Sequence, residues 1–189
     1  MRWRHTSSTG AAMHRLFVAI RPPEFVRLQL LDLMEGVRGA RWSDEDQLHL
    51  TLRFIGEVDR HVADDVHAAL GSVRQPPFEI ALNGLGAFDR RGEAKVLWAG
   101  VAPQEPLKAL HKKVDQAIAR TGLAPERRAY HPHITLARLG RGADPIQPLL
   151  ESKGGTVSKP FVVEEFRLYE SHLSPAGATH SLVERYPLA

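Results

Sequence analysis

The chain has 189 residues, 43% hydrophobic and 25% charged, the balance of a folded globular domain and not of a disordered chain. It contains no cysteine, which excludes a disulfide framework, thiol catalysis and cysteine-ligated metal centres, and fits a reducing cytoplasm. Twenty-five Lys and Arg against 22 Asp and Glu leave a formal charge of +3, too small an excess to argue nucleic-acid binding by itself. Residues 1–12 are basic and polar and lack the apolar stretch of a secretory signal; they are expected to form a disordered extension ahead of a single domain over 13–189. No apolar run approaches the ~20 residues needed to span a bilayer.

From there, short apolar runs alternate with amphipathic stretches. Residues 16–20 read as a buried strand, and Pro22-Pro23-Glu24 opens a helix with Phe25, Leu28, Leu31 and Met34 at helical spacing. Residues 48–55 are the clearest strand: Leu48, Leu50, Leu52 and Phe54 point one way, His49, Thr51 and Arg53 the other. A helix carrying Val62, Val66, Ala69, Leu70 and Val73 follows, then strands near 78–85 and 96–101 joined by a charged turn at 89–92. A third helix presents Leu107, Leu110, Val114, Ala117 and Ile118; residues 133–137 form the next strand, and 146–150 a short helical piece. Residues 161–169 and 181–186 read as closing strands. Helices interleaved with hairpins predict an α+β fold with largely antiparallel sheets.

The chain repeats itself once. His49-Leu-Thr-Leu-Arg-Phe-Ile-Gly56 and His133-Ile-Thr-Leu-Ala-Arg-Leu-Gly140 match at the first, third, fourth and eighth positions, which predicts a duplicated lobe with one His-x-Thr strand from each half. Two residues apart on a strand, His and Thr share a face. Two such strands facing one another would offer two imidazoles and two hydroxyls, a set suited to a phosphodiester. A neutral imidazole accepts a proton from an attacking water, a protonated one gives a proton to the leaving oxygen, and hydroxyls donate to the phosphate oxygens. Arg53 shares the predicted face of His49 and is expected to bind phosphate through its guanidinium. Strict alternation sets Arg138 on the side of Ile134 and Leu136, away from His133, unless the strand bends. Phe17, Trp42 and Tyr130 are candidates for stacking on a base, though packing in the core is the commoner use of an aromatic ring. His131, two residues before His133, reads as structural or as a supporting partner. The pair could chelate zinc, but without cysteine or a nearby acidic residue no metal is expected. His61, His67, His111, His172 and His180 have no partner discernible in the sequence.

With both His-x-Thr motifs in hand, the chain resembles the 2H phosphoesterase superfamily, and more narrowly the bacterial and archaeal RNA 2',3'-cyclic phosphodiesterases, also called 2'-5' RNA ligases. The likeness runs from about Arg15 to Leu188 and includes residues 15–20, 42–56, 96–100, 130–138 and 173–178. It implies two pseudo-symmetric lobes, each an antiparallel sheet with outer helices, and an active-site cleft between them. It implies hydrolysis of a terminal 2',3'-cyclic phosphate of RNA to a 2'-phosphate end without metal or cofactor, and reversible joining of 2'-5' linkages. On the same resemblance His49 is the proton donor and His133 the proton acceptor, Thr51 and Thr135 bind phosphate, and Arg138 assists. The partner is an RNA with a 2',3'-cyclic phosphate end or a 2'-5' linkage, and a monomer is expected because the duplicated lobes already build a cleft. The alternatives are a phosphodiesterase for a small cyclic or 2'-5' linked nucleotide, or a non-catalytic binder of RNA ends.

Overall fold

A computed structural model describes residues 13–175 and 177–189; the extension expected over 1–12 lies outside the described residues. In chain order the elements are β1 (His14–Ile20), α1 (Glu24–Leu31), β2 (Ala40–Trp42), β3 (Leu50–Val58), α2 (Arg60–Leu70), β4 (Phe78–Arg90), β5 (Glu93–Ala102), α3 (Glu105–Ala119), β6 (His133–Leu139), α4 (Gln147–Lys153), β7 (Phe161–Val163), β8 (Glu165–Ser174) and β9 (Gly177–Pro187). The predicted α+β order holds. The strands pair antiparallel in the order β7-β4-β5-β6-β3-β1-β8-β9, with β2 on β6.

That order is symmetric about the β6–β3 junction, where the two halves meet through one bridge, Leu50 opposite Ile134. The offset that takes His49 to His133 also carries β3 onto β6, α1 into α3, α2 onto α4 and β4 onto the β7–β8 stretch. Each repeat gives a strand to the other half: β4 pairs with β5, and β8 pairs with β1.

All four helices bury their apolar faces in one core against one side of the sheet. Leu16, Val18, Ile20, Leu50, Leu52, Ile134 and Leu136 meet Val26 and Leu30 of α1, Val66 and Leu70 of α2, Leu110 and Val114 of α3 and Leu149 of α4. Burying each such side chain contributes roughly 1.5–3 kcal/mol. On the opposite face Phe17, Ala19 and Tyr169 form a separate small buried cluster.

Two hairpins are longer than the apolar pattern predicts. β4 and β5 run out to a two-residue turn in which Arg91 and Gly92 both have positive φ, 57° and 78°, the backbone that suits the twist of a tight hairpin. β8 and β9 likewise extend through exposed polar residues to Ser174 opposite Gly177. Cross-strand hydrogen bonds hold these outer segments; no buried face marks them in the sequence.

Strict alternation fails just beyond each motif, and both failures matter for what faces outward. In β3, Val18 pairs with Arg53 but Ala19 pairs with Thr51, so Leu52 is bulged. In β6, Leu97 pairs with Ala137 but Trp98 pairs with Thr135, so Leu136 is bulged. The two bulges occupy the same place in the repeat, each directly after the motif Thr. Each lets two consecutive residues start towards the core and turns the next one outward; in β3 a second bulge at Ile55 then restores the phase, so that Val58 is buried like Leu50. Arg53 therefore leaves the face of His49, and Arg138 returns to the face of His133, with Leu136 and Ala137 both buried and Arg138 exposed.

The expectation that Arg53 binds phosphate is thereby corrected. On the helix side its guanidinium meets Asp115 of α3 at 2.8 Å and Glu126 at 3.3 Å, and donates to the carbonyls of Phe54 (2.8 Å) and Ala124 (2.6 Å). The side chain is only 10% exposed, so it works as a clamp between sheet, helix and the following loop. Removing one partner of a mostly buried ion pair strands the other. Arg53→Ala is expected to lower unfolding stability by about 3 kcal/mol in urea denaturation, with the folded variant keeping any phosphodiesterase activity of the wild type within a few-fold; a variant of unchanged stability that loses such activity would contradict this placement.

Candidate active site

The bridge between the halves places the two motifs. Leu50 and Ile134 point into the core, 1% and 0% exposed, so the residues beside them emerge on the helix-free face. Antiparallel pairing around that bridge sets His49 beside Thr135 and Thr51 beside His133. The two imidazoles stand diagonally across the seam, a relation that separates such residues by roughly 7–8 Å, room for one phosphoryl group between them. All four side chains are half-buried.

His133 is held in one orientation. Its Nδ1 lies 2.7 Å from the carbonyl oxygen of His131. A carbonyl only accepts, so Nδ1 carries the proton and Nε2 keeps its lone pair. The His131 backbone is thus the supporting partner, and Pro132, buried between them, fixes the approach to the strand. Burial lowers the imidazole's pKa, the His131 hydrogen bond opposes this, and the charge of His131 lowers it further. The His133 ring is framed by Phe88 at 4.8 Å and Trp98 at 6.3 Å. Trp98 lies close over β4 because Gly86 is there: a Cβ at that position would come within 2.4 Å of the indole.

His49 sits in the mirror-image wall. Phe17 is 4.9 Å away, Tyr169 6.4 Å and His180 5.4 Å edge-on. Its pKa falls to about 3; burial is the largest cause, followed by the charges of His180 and Arg21, with the Gln47 backbone working the other way and His133 adding a little. The tip of the β8–β9 hairpin is held near by Gln47, whose Nε2 donates to the Ala178 carbonyl at 2.8 Å.

Of the residues singled out in the sequence, His49, Thr51, His133, Thr135, Arg138, Phe17 and His131 gather on this face. Trp42 and Tyr130 do not stack there. Trp42, paired with the buried Ala137, packs against the main core, and Tyr130 lies flat on His111 of α3, ring centroids 4.1 Å apart and planes 6° off parallel. His111 in turn hydrogen-bonds the Leu52 carbonyl at 2.8 Å, so this stack braces the bulge from the helix side. Arg21, Phe54, Phe88, Trp98, Tyr169 and His180 are additions. Phe54 is the counterpart of Arg138 in the first repeat and is turned outward by its own bulge, its ring 5.8 Å from Phe17. That shared spacing, three places after each motif Thr, is a signal present in the sequence. Nothing local marks His180, which reaches His49 from the last strand of the chain.

Among the described residues no group of three or more His, Asp or Glu is placed to hold a metal ion, and no helix is long and apolar enough to cross a membrane.

Comparison with known proteins agrees with this arrangement. The family model of the 2'-5' RNA ligase superfamily matches residues 24–174. Among curated proteins, the RNA 2',3'-cyclic phosphodiesterase of Aeropyrum pernix is 36% identical over 137 residues, covering 71% of this chain and 78% of its own length. That of Escherichia coli is 32% identical over 178 residues, covering 92% and 96%. Among solved structures, E. coli LigT complexed with 3'-AMP superposes with a TM-score of 0.78 at 29% identity, over 94% of this chain and 99% of that one. TT0787 of Thermus thermophilus superposes at 0.77 and 28% identity, over 92% and 97%. A match over most of the chain, an antiparallel sheet duplicated about one seam and a His-x-Thr strand from each half lead to one conclusion: the chain belongs to the 2'-5' RNA ligase (2H phosphoesterase) superfamily.

Proposed function

We propose that this protein hydrolyses the terminal 2',3'-cyclic phosphate of RNA, leaving a 2'-phosphate, by acid–base catalysis between its two motif histidines. The observation that carries the proposal is the pairing of the motifs on one open face, with the Nε2 of His133 left free by the hydrogen bond at Nδ1. The names of the curated relatives support the substrate.

In this mechanism Nε2 of His133 takes a proton from water as the water oxygen bonds to phosphorus. The bond from phosphorus to the 3' oxygen breaks, and His49 gives that oxygen a proton. Thr51 and Thr135 donate hydrogen bonds to the non-bridging oxygens, and the positive charge of Arg138, farther along the same face, favours binding of the anion without touching the reacting phosphate. With the 5'-hydroxyl of a second strand in place of water, the same steps join RNA through a 2'-5' linkage, the activity for which the superfamily is named.

The electrostatics assign the moment at which the acid forms. In the free protein His49 is neutral at pH 7, because burial and the nearby Arg21 charge disfavour its cation. A bound phosphodiester anion opposes both effects and raises the pKa. Substrate therefore moves His49 towards the protonated form that its role as acid requires, and the cation is not favoured in an empty site.

His49→Ala and His133→Ala are each expected to slow hydrolysis of a cyclic-ended RNA about 10²–10⁴-fold, measured in the presence of EDTA, which leaves the wild-type rate unchanged; rates within a few-fold of wild type would overturn the proposal. Both imidazoles are lowered from 6.5 in the free protein, so the bell-shaped profile of kcat/KM is expected to centre below pH 6.5. The profile of kcat, which reports the complex, is expected to lie at higher pH because the substrate anion raises both values. A kcat/KM profile centred above pH 7 would count against this account.

A further inference from the structure

Beside the motif residues, the same face carries a contact that sheets ordinarily avoid. Arg41 of β2 and Arg138 of β6 are direct cross-strand partners. Residues opposite one another in an antiparallel pair leave the sheet on the same side, and like charges in that position destabilise it. Both side chains are exposed, and neither has a hydrogen-bond or ion-pair partner among the described residues. Several other arginines are matched, Arg21 with Asp46, Arg27 with Glu45, Arg53 with Asp115, and Arg167 and Arg185 with Glu165; what sets Arg41 and Arg138 apart is that they are cross-strand neighbours of like charge. The Arg41–Arg138 pair is left open on the face where His133 and Thr135 emerge.

Position gives the pair a ligand. Arg138 lies three places beyond Thr135 on β6, with the Leu136 bulge between. At about 3.3 Å per strand residue the Arg41–Arg138 row is roughly 7–10 Å from the row of Thr135 and His49, the reach of one nucleotide. β2 is fixed there by Ser43, whose backbone N–H donates to the Leu136 carbonyl at 2.8 Å and whose hydroxyl donates to the Thr135 carbonyl at 3.2 Å. The spacing between the two rows is therefore set by backbone contacts.

We propose that Arg41 is a substrate-binding residue: beside Arg138 it takes the internucleotide phosphate adjacent to the cyclic end, so that the enzyme recognises the end of an RNA strand in preference to a free cyclic nucleotide. The proposal rests on the cyclic phosphodiesterase activity proposed above. A phosphate between two guanidiniums removes their mutual repulsion and uses donors that are otherwise unmatched.

The test compares a nucleoside 2',3'-cyclic phosphate, which has no second phosphate, with a dinucleotide ending in the same cyclic phosphate. Wild type is expected to show a kcat/KM at least about tenfold higher for the dinucleotide, a typical size for a charged hydrogen-bonded contact. Arg41→Gln is expected to abolish that preference and to leave the mononucleotide rate unchanged. Its melting temperature is expected to stay level or rise, since a like-charge neighbour is gone. For wild type, the dinucleotide's log kcat/KM is expected to fall with log salt more steeply than the mononucleotide's, by about 0.7 for one additional phosphate contact. Equal salt slopes, or a preference that survives in Arg41→Gln, or equal losses on both substrates, would overturn the role of Arg41 alone. Hydrolysis of neither substrate by wild type would instead overturn the activity on which it rests.

Discussion

The site depends on one contact, the bridge between Leu50 and Ile134. It is the point at which two halves of a duplicated sheet join, and both side chains are sealed in the core against the helices. Because strand side chains alternate, burying these two obliges His49, Thr51, His133 and Thr135 to face the other way. The energy that holds these four residues together is thus hydrophobic and lies on the far side of the sheet from them. The polar residues need no contacts with one another to be positioned, which leaves their donors and lone pairs for a ligand.

The symmetry of the scaffold is broken at its surface, and the break has chemical meaning. The bulges at Leu52 and Leu136 occupy equivalent positions, and each turns the next equivalent residue outward. In one half that residue is Phe54, in the other Arg138. The walls differ too. His49 is enclosed by Phe17, Tyr169 and His180 with Arg21 near, whereas His133 is tied by its own upstream backbone and framed by Phe88 and Trp98. Two histidines from the same repeat therefore meet different environments. That is a physical basis for unlike roles: one imidazole has its tautomer fixed by a backbone carbonyl, and the other is buried with the Arg21 charge near, so that its cation is disfavoured until an anion approaches.

The arginines on the two sides of the sheet are used differently. On the helix side Arg53 is held by two carboxylates. On the site face Arg138 and Arg41 are left side by side. A protein selected for stability alone would place a carboxylate opposite one of them. Leaving the pair unmatched sacrifices a little stability for affinity towards an anion, which fits the phosphate chemistry argued for the motifs.

The sequence by itself determined the repeat, the paired His-x-Thr strands and the α+β order, because each of these is written in local periodicity or in a fixed spacing; it misplaced part of the core, since Phe25, Leu28 and Phe54, read on apolar faces, are exposed and α1 buries Val26 and Leu30 instead. It also contained the offset that links Phe54 to Arg138. The tertiary structure alone decided which face Arg53 and Arg138 take, since alternation counts residues and a bulge adds one that only the partner strand reveals. It decided that Tyr130 and Trp42 serve the core, because a ring's neighbour is chosen by packing between distant segments. It brought His180 to His49 and set Arg41 against Arg138, pairings that strand register makes between distant stretches of the chain and that no local pattern records.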